Sequence, residues 1–254
     1  MLLVVDVGNT QTHFGAFDGE RLVQHWRFAT ARDSTADELG AALRNLMELR
    51  ALGLADLTAS IVSSTVPQLA PEWREMACRY LGHEPVVVGP GIRTGMGIRY
   101  PNPAEIGADR LVNAVAIRER FGGPAICVDF GTAVNFDLVS VQGEYVGGVL
   151  APGVEISLAA LTERGAKLPR IDLTAPRSVI GKSTVEAIRS GVIYGYAGLV
   201  DGIVRRLREE LGEESDVIAT GGLAGHIVPF TEEIDEVDDL LTLTGLRLLH
   251  ERNA

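Results

Sequence analysis

An acid, a glycine and a small hydroxyl residue close an apolar strand twice in this chain. DVGNT at residues 6–10 follows MLLVV, and DFGTA at 129–133 follows PAICV. Two further runs with strand character come after each motif. In the first half these are THFGAF and, beyond the hairpin signal Asp18-Gly19, RLVQHWRF; in the second they are TAVNFDLVS and, beyond VQGE, YVGGVLAPG. One order of elements carried by two different sequences reads as a duplication. Each half is therefore expected to open with three strands, the acidic motif closing the first.

Helices are expected to alternate with the remaining strands. Ser34-Thr35-Ala36-Asp37-Glu38 has the form of a capping box and leads into Leu39, Leu43, Leu46 and Leu49 at helical spacing. ASIVSSTVP and EPVVVG read as strands around a helix PEWREMACRYLG. Residues 89–107 hold too many glycines and prolines for one regular element and read as a functional loop. ADRLVNAVAIRERF has helical spacing and stops at Gly122-Gly123, and the junction between halves is expected near it. Later come a helix around VEISLAALTERG, a long helix from Ser183 to Leu211, a strand VIATGG and a closing helix LLTLTGLRLLHERN.

Charge and cysteine usage exclude several partners. A net charge of -11 over 254 residues argues against nucleic acid, whose sequence-independent affinity comes from clustered Lys and Arg. An anionic small substrate would have to be met by backbone N–H groups, helix N-termini, a placed Arg or a cation. Cys78 and Cys127 have neither metal-ligand nor redox spacing, and no apolar run reaches the ~20 residues that cross a bilayer. A reduced, cytoplasmic protein without membrane contact is expected.

The paired motifs suit phosphate chemistry. Glycine lets the chain turn tightly beneath a phosphate while N–H groups and the Thr hydroxyl point at its oxygens, and the Asp supplies charge for a cation. Two buried carboxylates at close range would repel unless a cation lay between them, so the pair predicts Mg²⁺, a monovalent cation, or both. This arrangement resembles that of the acetate and sugar kinase, Hsp70 and actin superfamily. The resemblance implies an α/β fold of two duplicated ribonuclease H-like (actin-like ATPase) domains, residues 1–115 and 116–254. Each would be a mixed sheet flanked by helices, with the active-site cleft between them. ATGG at 219–222 resembles the superfamily's adenosine-side motif, although a plain strand-to-loop turn explains it equally well.

GADR at 107–110, after Tyr100 and Pro101, makes the resemblance more specific. Together with DVGNT, DFGTA, GGVLAPG, IGKSTVEAIRSG and TLTGLRLLHERN in that order, the chain is similar to the type III pantothenate kinases from Leu3 to Asn253. The resemblance implies phosphorylation of the pantothenate 4′-hydroxyl by ATP, the first step towards coenzyme A. It also implies a homodimer that needs Mg²⁺ and a monovalent cation, K⁺ or NH₄⁺. By matching position Asp109 is the general base, and Tyr100, Gly107, Ala108, Asp109, Arg110 and Thr184 line the pantothenate site. Asp6, Val7, Gly8, Asn9, Thr10, Gln11, Thr12 and His13, with Gly131 and Thr132, take the nucleotide, and Asp129 binds the monovalent cation.

Residue chemistry agrees with several of these roles. Phosphoryl transfer asks mainly for alignment, charge neutralisation and one acceptor for the hydroxyl proton, and Asp109 at a helix start can be that acceptor. Arg110 is the natural counter-charge for the pantothenate carboxylate, with a surface arginine as the plain alternative. Ser183 to Glu186 forms a capping box, so Thr184 also has a structural reading.

The chain departs from the family at Val134-Asn135, where a hydroxyl pair is usual, and at His13, where a small or apolar residue is usual. GKST at 181–184 is not a P-loop, because Pro176 stands where its first glycine belongs. Gly191, Gly195, Gly198 and Gly202 fall on one face of the long helix, where close packing inside the monomer is expected first and a subunit contact second. Another small-molecule kinase of the superfamily and a non-catalytic nucleotide-binding regulator are the competing functions.

Overall fold

Three antiparallel strands open the chain, β1 (Leu2–Val7), β2 (Gln11–Asp18) and β3 (Arg21–Ala29), the first a continuous apolar run. The computed structural model describes residues 1–164, 171–212 and 214–254. After α1 (Ala36–Glu48), β4 (Ala59–Ser64) joins β1 in parallel, and the two-residue β5 (Val86–Val87) joins β4. The first sheet therefore runs β3-β2-β1-β4-β5.

β6 (Ala125–Phe130), β7 (Ala133–Val139) and β8 (Tyr145–Pro152) repeat the antiparallel opening. β9 (Asp216–Thr220) then pairs with β6 in parallel, and β10 (Glu236–Val237) with β9. The order β10-β9-β6-β7-β8 is the first sheet's order read from the other edge. The duplication expected from the sequence is thus a duplication of strand pairing.

Helices pack according to their apolar faces. Thr35 caps α1 and shares a capping box with Glu38. α1 and α2 (Leu69–Met76), which continues in a π-turn over Ala77–Leu81, cover one face of the first sheet. There Leu3, Val5, Val7 and Phe14 meet Leu39, Leu43 and Trp73. α3 (Ala108–Phe121) follows the glycine-rich loop, and α4 (Val154–Arg164) follows β8. In the second sheet Ile126, Val128, Phe130 and Phe136 pack on Ile193, Ala197, Val200 and Val204 of α5 (Thr184–Leu211), next to α6 (Ala224–Ile227).

The described residues form two units, Met1–Ala116 with Leu241–Ala254, and Ile117–Leu240. Chain order puts the closing helix α7 (Leu241–Asn253) in a second half of 116–254, whereas it packs against β1, β4 and β2 of the first unit. The physical reason is apolar area. Leu241, Leu243, Leu246 and Leu249 of α7 are all 2% exposed or less, and each fully buried leucine is worth about 1.5–3 kcal/mol. Gly245 permits the backbone of α3 at Val112 to approach α7 closely, and Thr242 donates to Asn113 at 2.8 Å.

Candidate active site

Ladder register sets the surroundings of both acids. In the first unit Asp6 on β1 lies between His13 on β2 and Ser63 on β4. In the second, Asp129 on β6 lies between Asn135 on β7 and Thr220 on β9. Laterally paired residues point to the same face, so each acid belongs to a row of polar side chains on the face away from the α1/α2 or α5 core. The two rows are equivalent positions of the duplicated sheet.

Both acids lead into tight turns. Gly8 N–H donates to Gln11 O at 3.0 Å, and Gly131 N–H donates to Ala133 O at 3.0 Å. Asn9, Thr10 and Gln11 are exposed in the first turn, as are Gly131 and Thr132 in the second. Val7 and Thr12 face inward instead. Val7 belongs to the core, and Thr12 is buried with its hydroxyl bonded to Thr30 Oγ1 at 2.9 Å.

His13 is the departure with the clearest electrostatics. Burial, then Arg27, then His25 lower its pKa from 6.5 to about 3, so the imidazole is neutral around pH 7. His13 Nε2 lies 3.1 Å from His25 Nδ1. A neutral ring beside the Gly8–Gln11 turn offers hydrogen bonding without adding charge.

Asp109 stands in the first turn of α3. Burial raises its carboxyl above the usual carboxylate range, against the pull of the Arg110 amide and guanidinium. A Cβ on Gly107 would lie 2.6 Å from Asp109 Oδ1, so glycine leaves the space that the carboxylate uses. Arg110 is 8% exposed, which removes the plain reading of a surface arginine. Tyr100 is half-buried in the same unit, and Gly107 and Ala108 complete the GADR segment.

Thr184 is the exposed first residue of α5, capped by Ser183, whose Oγ accepts from the Glu186 N–H at 3.2 Å. α5 covers the face of the second sheet opposite to Asp129. The loop before Thr184 and the first turn of α5 line a cavity of about 520 Å³ that carries Arg177, Lys182 and Arg189 against Glu186. Sequence reasoning missed this cationic cavity, whose basic residues are spread over thirteen positions with no motif.

Two glycines around Asp129 were also not assigned. Gly221, in ATGG, has φ +94°, and a Cβ there would lie 2.5 Å from Asp129 Oδ1 and 2.7 Å from the Phe130 backbone. Gly153, in GGVLAPG, lets the β8–α4 corner press against the Thr132 carbonyl, and Tyr196 Oη donates to Pro152 O at 2.9 Å. The motif spacing carried both signals, but only coordinates show what each glycine accommodates. Among the described residues no group of three or more His, Cys, Asp or Glu is placed to hold a metal.

Residues 2–206 match the family model described as type III pantothenate kinase. A type III pantothenate kinase from Moorella thermoacetica is 51% identical over 254 residues, covering all of both chains. Another, from Anaeromyxobacter sp. (strain Fw109-5), is 53% identical over 253 residues, again with full coverage of both. Among solved structures, component A of (R)-2-hydroxyglutaryl-CoA dehydratase from Acidaminococcus fermentans has a TM-score of 0.58 at 15% identity, covering 100% of this chain and 99% of that one. At that identity the likeness speaks to the fold alone.

Proposed function

Because the chain belongs to the type III pantothenate kinase family and phosphorylates pantothenate with ATP on the way to coenzyme A, we propose that Asp109 is the general base of that reaction. The observation that carries the assignment is a carboxylate at the start of α3, raised in proton affinity by burial, with its space kept open by Gly107. A base of raised pKa takes up the 4′-hydroxyl proton more readily as the oxygen attacks phosphorus, and such assistance is worth ~10²–10⁴ in rate. The buried Arg110 meets the pantothenate carboxylate, with Tyr100, Gly107 and Ala108 of the same unit as further substrate contacts; Thr184 is assigned a pantothenate contact on the family resemblance alone.

The exposed turn at residues 9–11 contributes to nucleotide binding in the first unit, and Gly131 and Thr132 do so in the second. Asp6 faces Mg²⁺ arriving with ATP, since a lone carboxylate beside phosphates suits an ion that keeps most of its waters. Asp129 holds the monovalent cation, K⁺ or NH₄⁺. The fit rests on the Gly221 cradle beneath its carboxylate and on the buried Asn135 Oδ1 across the ladder, which has no hydrogen-bond partner among the described residues. A bound cation there supplies fixed positive charge next to the phosphate turn.

The exposed glycine face of α5 supports a homodimer as the reading of the family resemblance. Close packing inside the monomer is not found there: a Cβ on Gly191, Gly195 or Gly198 would meet nothing within 4 Å among the described residues. A second copy is the occupant that the family resemblance supplies, and the protein works in the cytoplasm. ADP release measured with and without pantothenate, and with K⁺ replaced by Na⁺, tests the whole reading. Release that ignores pantothenate would favour a different acceptor.

A further inference from the structure

Asn135 stands where the sequence departs from the family, and its surroundings give the departure a chemical use. It is 8% exposed, and its Oδ1 is buried without a hydrogen-bond partner among the described residues. An unbonded buried acceptor is costly unless something else engages it. Its ladder partner is Asp129, with Thr220 beyond, so the three side chains share one face at the end of the second sheet. Directly opposed residues of an antiparallel pair have Cβ atoms about 4.5–5.5 Å apart, within reach of one ion between them.

The donor set argues for the kind of ion. One carboxylate and one neutral amide oxygen make a hard, weakly charged site, and K⁺ is commonly held by neutral carbonyl oxygens. Divalent ions without waters call for several carboxylates, which this row does not offer. We propose that Asn135 supplies Oδ1 as a second protein ligand to the monovalent cation held by Asp129. The inference rests on the cation site proposed above at Asp129 and adds the residue that sets its affinity.

The test is thermal unfolding of the full chain without nucleotide, titrated with KCl against choline chloride at constant ionic strength. Binding to the folded state raises the melting temperature in proportion to ln(1 + [K⁺]/Kd). Wild type should shift upward with K⁺, Asp129→Asn should not, and Asn135→Leu should need roughly tenfold more K⁺ or more for the same shift. Asn135→Ala also removes the oxygen, with less added bulk, and takes the leucine variant's place if that one does not fold. A wild-type shift matched at the same K⁺ by Asn135→Leu, or by Asn135→Ala in its place, would overturn the role of Asn135 and leave the site standing. No K⁺-specific shift in wild type would overturn both the role and the cation site.

Discussion

Gly107 and Asp109 share one small space: a Cβ on the glycine would come within 2.6 Å of the carboxylate Oδ1. The obstructed atom is the far end of a flexible side chain, so Gly107→Ala is expected to swing the carboxylate aside rather than unfold the protein. Melting should move little. Turnover should fall by about 10²-fold, the scale of an ångström-sized misplacement. Circular dichroism melts beside steady-state rates check this, and an active Gly107→Ala enzyme would show that the carboxylate position is not critical.

The contact beneath the turn at Gly131–Thr132 predicts the opposite balance. A Cβ on Gly153 would run into the Thr132 carbonyl, which is backbone and cannot step aside cheaply. Gly153→Ala should therefore lose about 1–3 kcal/mol of stability, as overpacking does, and bind ATP more weakly. Urea unfolding and nucleotide titration measure the two effects. A variant with normal stability would mean that the corner does not press on the turn.

These two glycines mark the limit of what the sequence discloses. The strand ends at Asp6 and Asp129 were legible because a continuous apolar run stops abruptly at an acid and a glycine, and α3 because its apolar spacing and Gly122 delimit it. The contacts of Gly153 and Gly221 were not, since each depends on a neighbour far away in the chain. The unit to which α7 belongs was also hidden: leucine spacing predicts a helix but not the sheet it covers. Of EPVVVG only Val86–Val87 pairs as a strand, with the Val88 N–H continuing to Val62 O.

His13 predicts a sensitivity to acid. Its folded pKa of about 3 lies below the ordinary 6.5, so the folded state resists a proton that the unfolded chain accepts. The corresponding stability is present above pH 6.5 and is lost as pH falls towards 3, with a slope approaching 1.4 kcal/mol per pH unit. The groups concerned are Arg27 and His25 on β3 and Asp6 across the ladder. His13→Gln removes the titration, so its stability should decline less between pH 6 and pH 4. Parallel slopes for variant and wild type would contradict the low pKa.

For α5 the sign of one substitution separates two readings. If Gly195 faces only water, Gly195→Leu replaces a poor helix former with a good one and should gain up to about 1 kcal/mol. If the glycine face meets a second copy, the same change should split the dimer, halving the mass seen by light scattering. The homodimer reading predicts a folded monomer.

Asp109 carries the central claim. Because burial raises its folded pKa, its ionised form costs stability at neutral pH, and stability relative to an Asn variant improves only as pH falls through that raised pKa. Asp109→Asn should thus be at least as stable as wild type near pH 7.5, while its catalysis suffers. The decisive measurement is kcat of Asp109→Asn with saturating ATP and pantothenate, alongside the Kd of each substrate. A fall of ~10²–10⁴ with both affinities nearly unchanged is predicted, and wild-type turnover would remove Asp109 from the reaction.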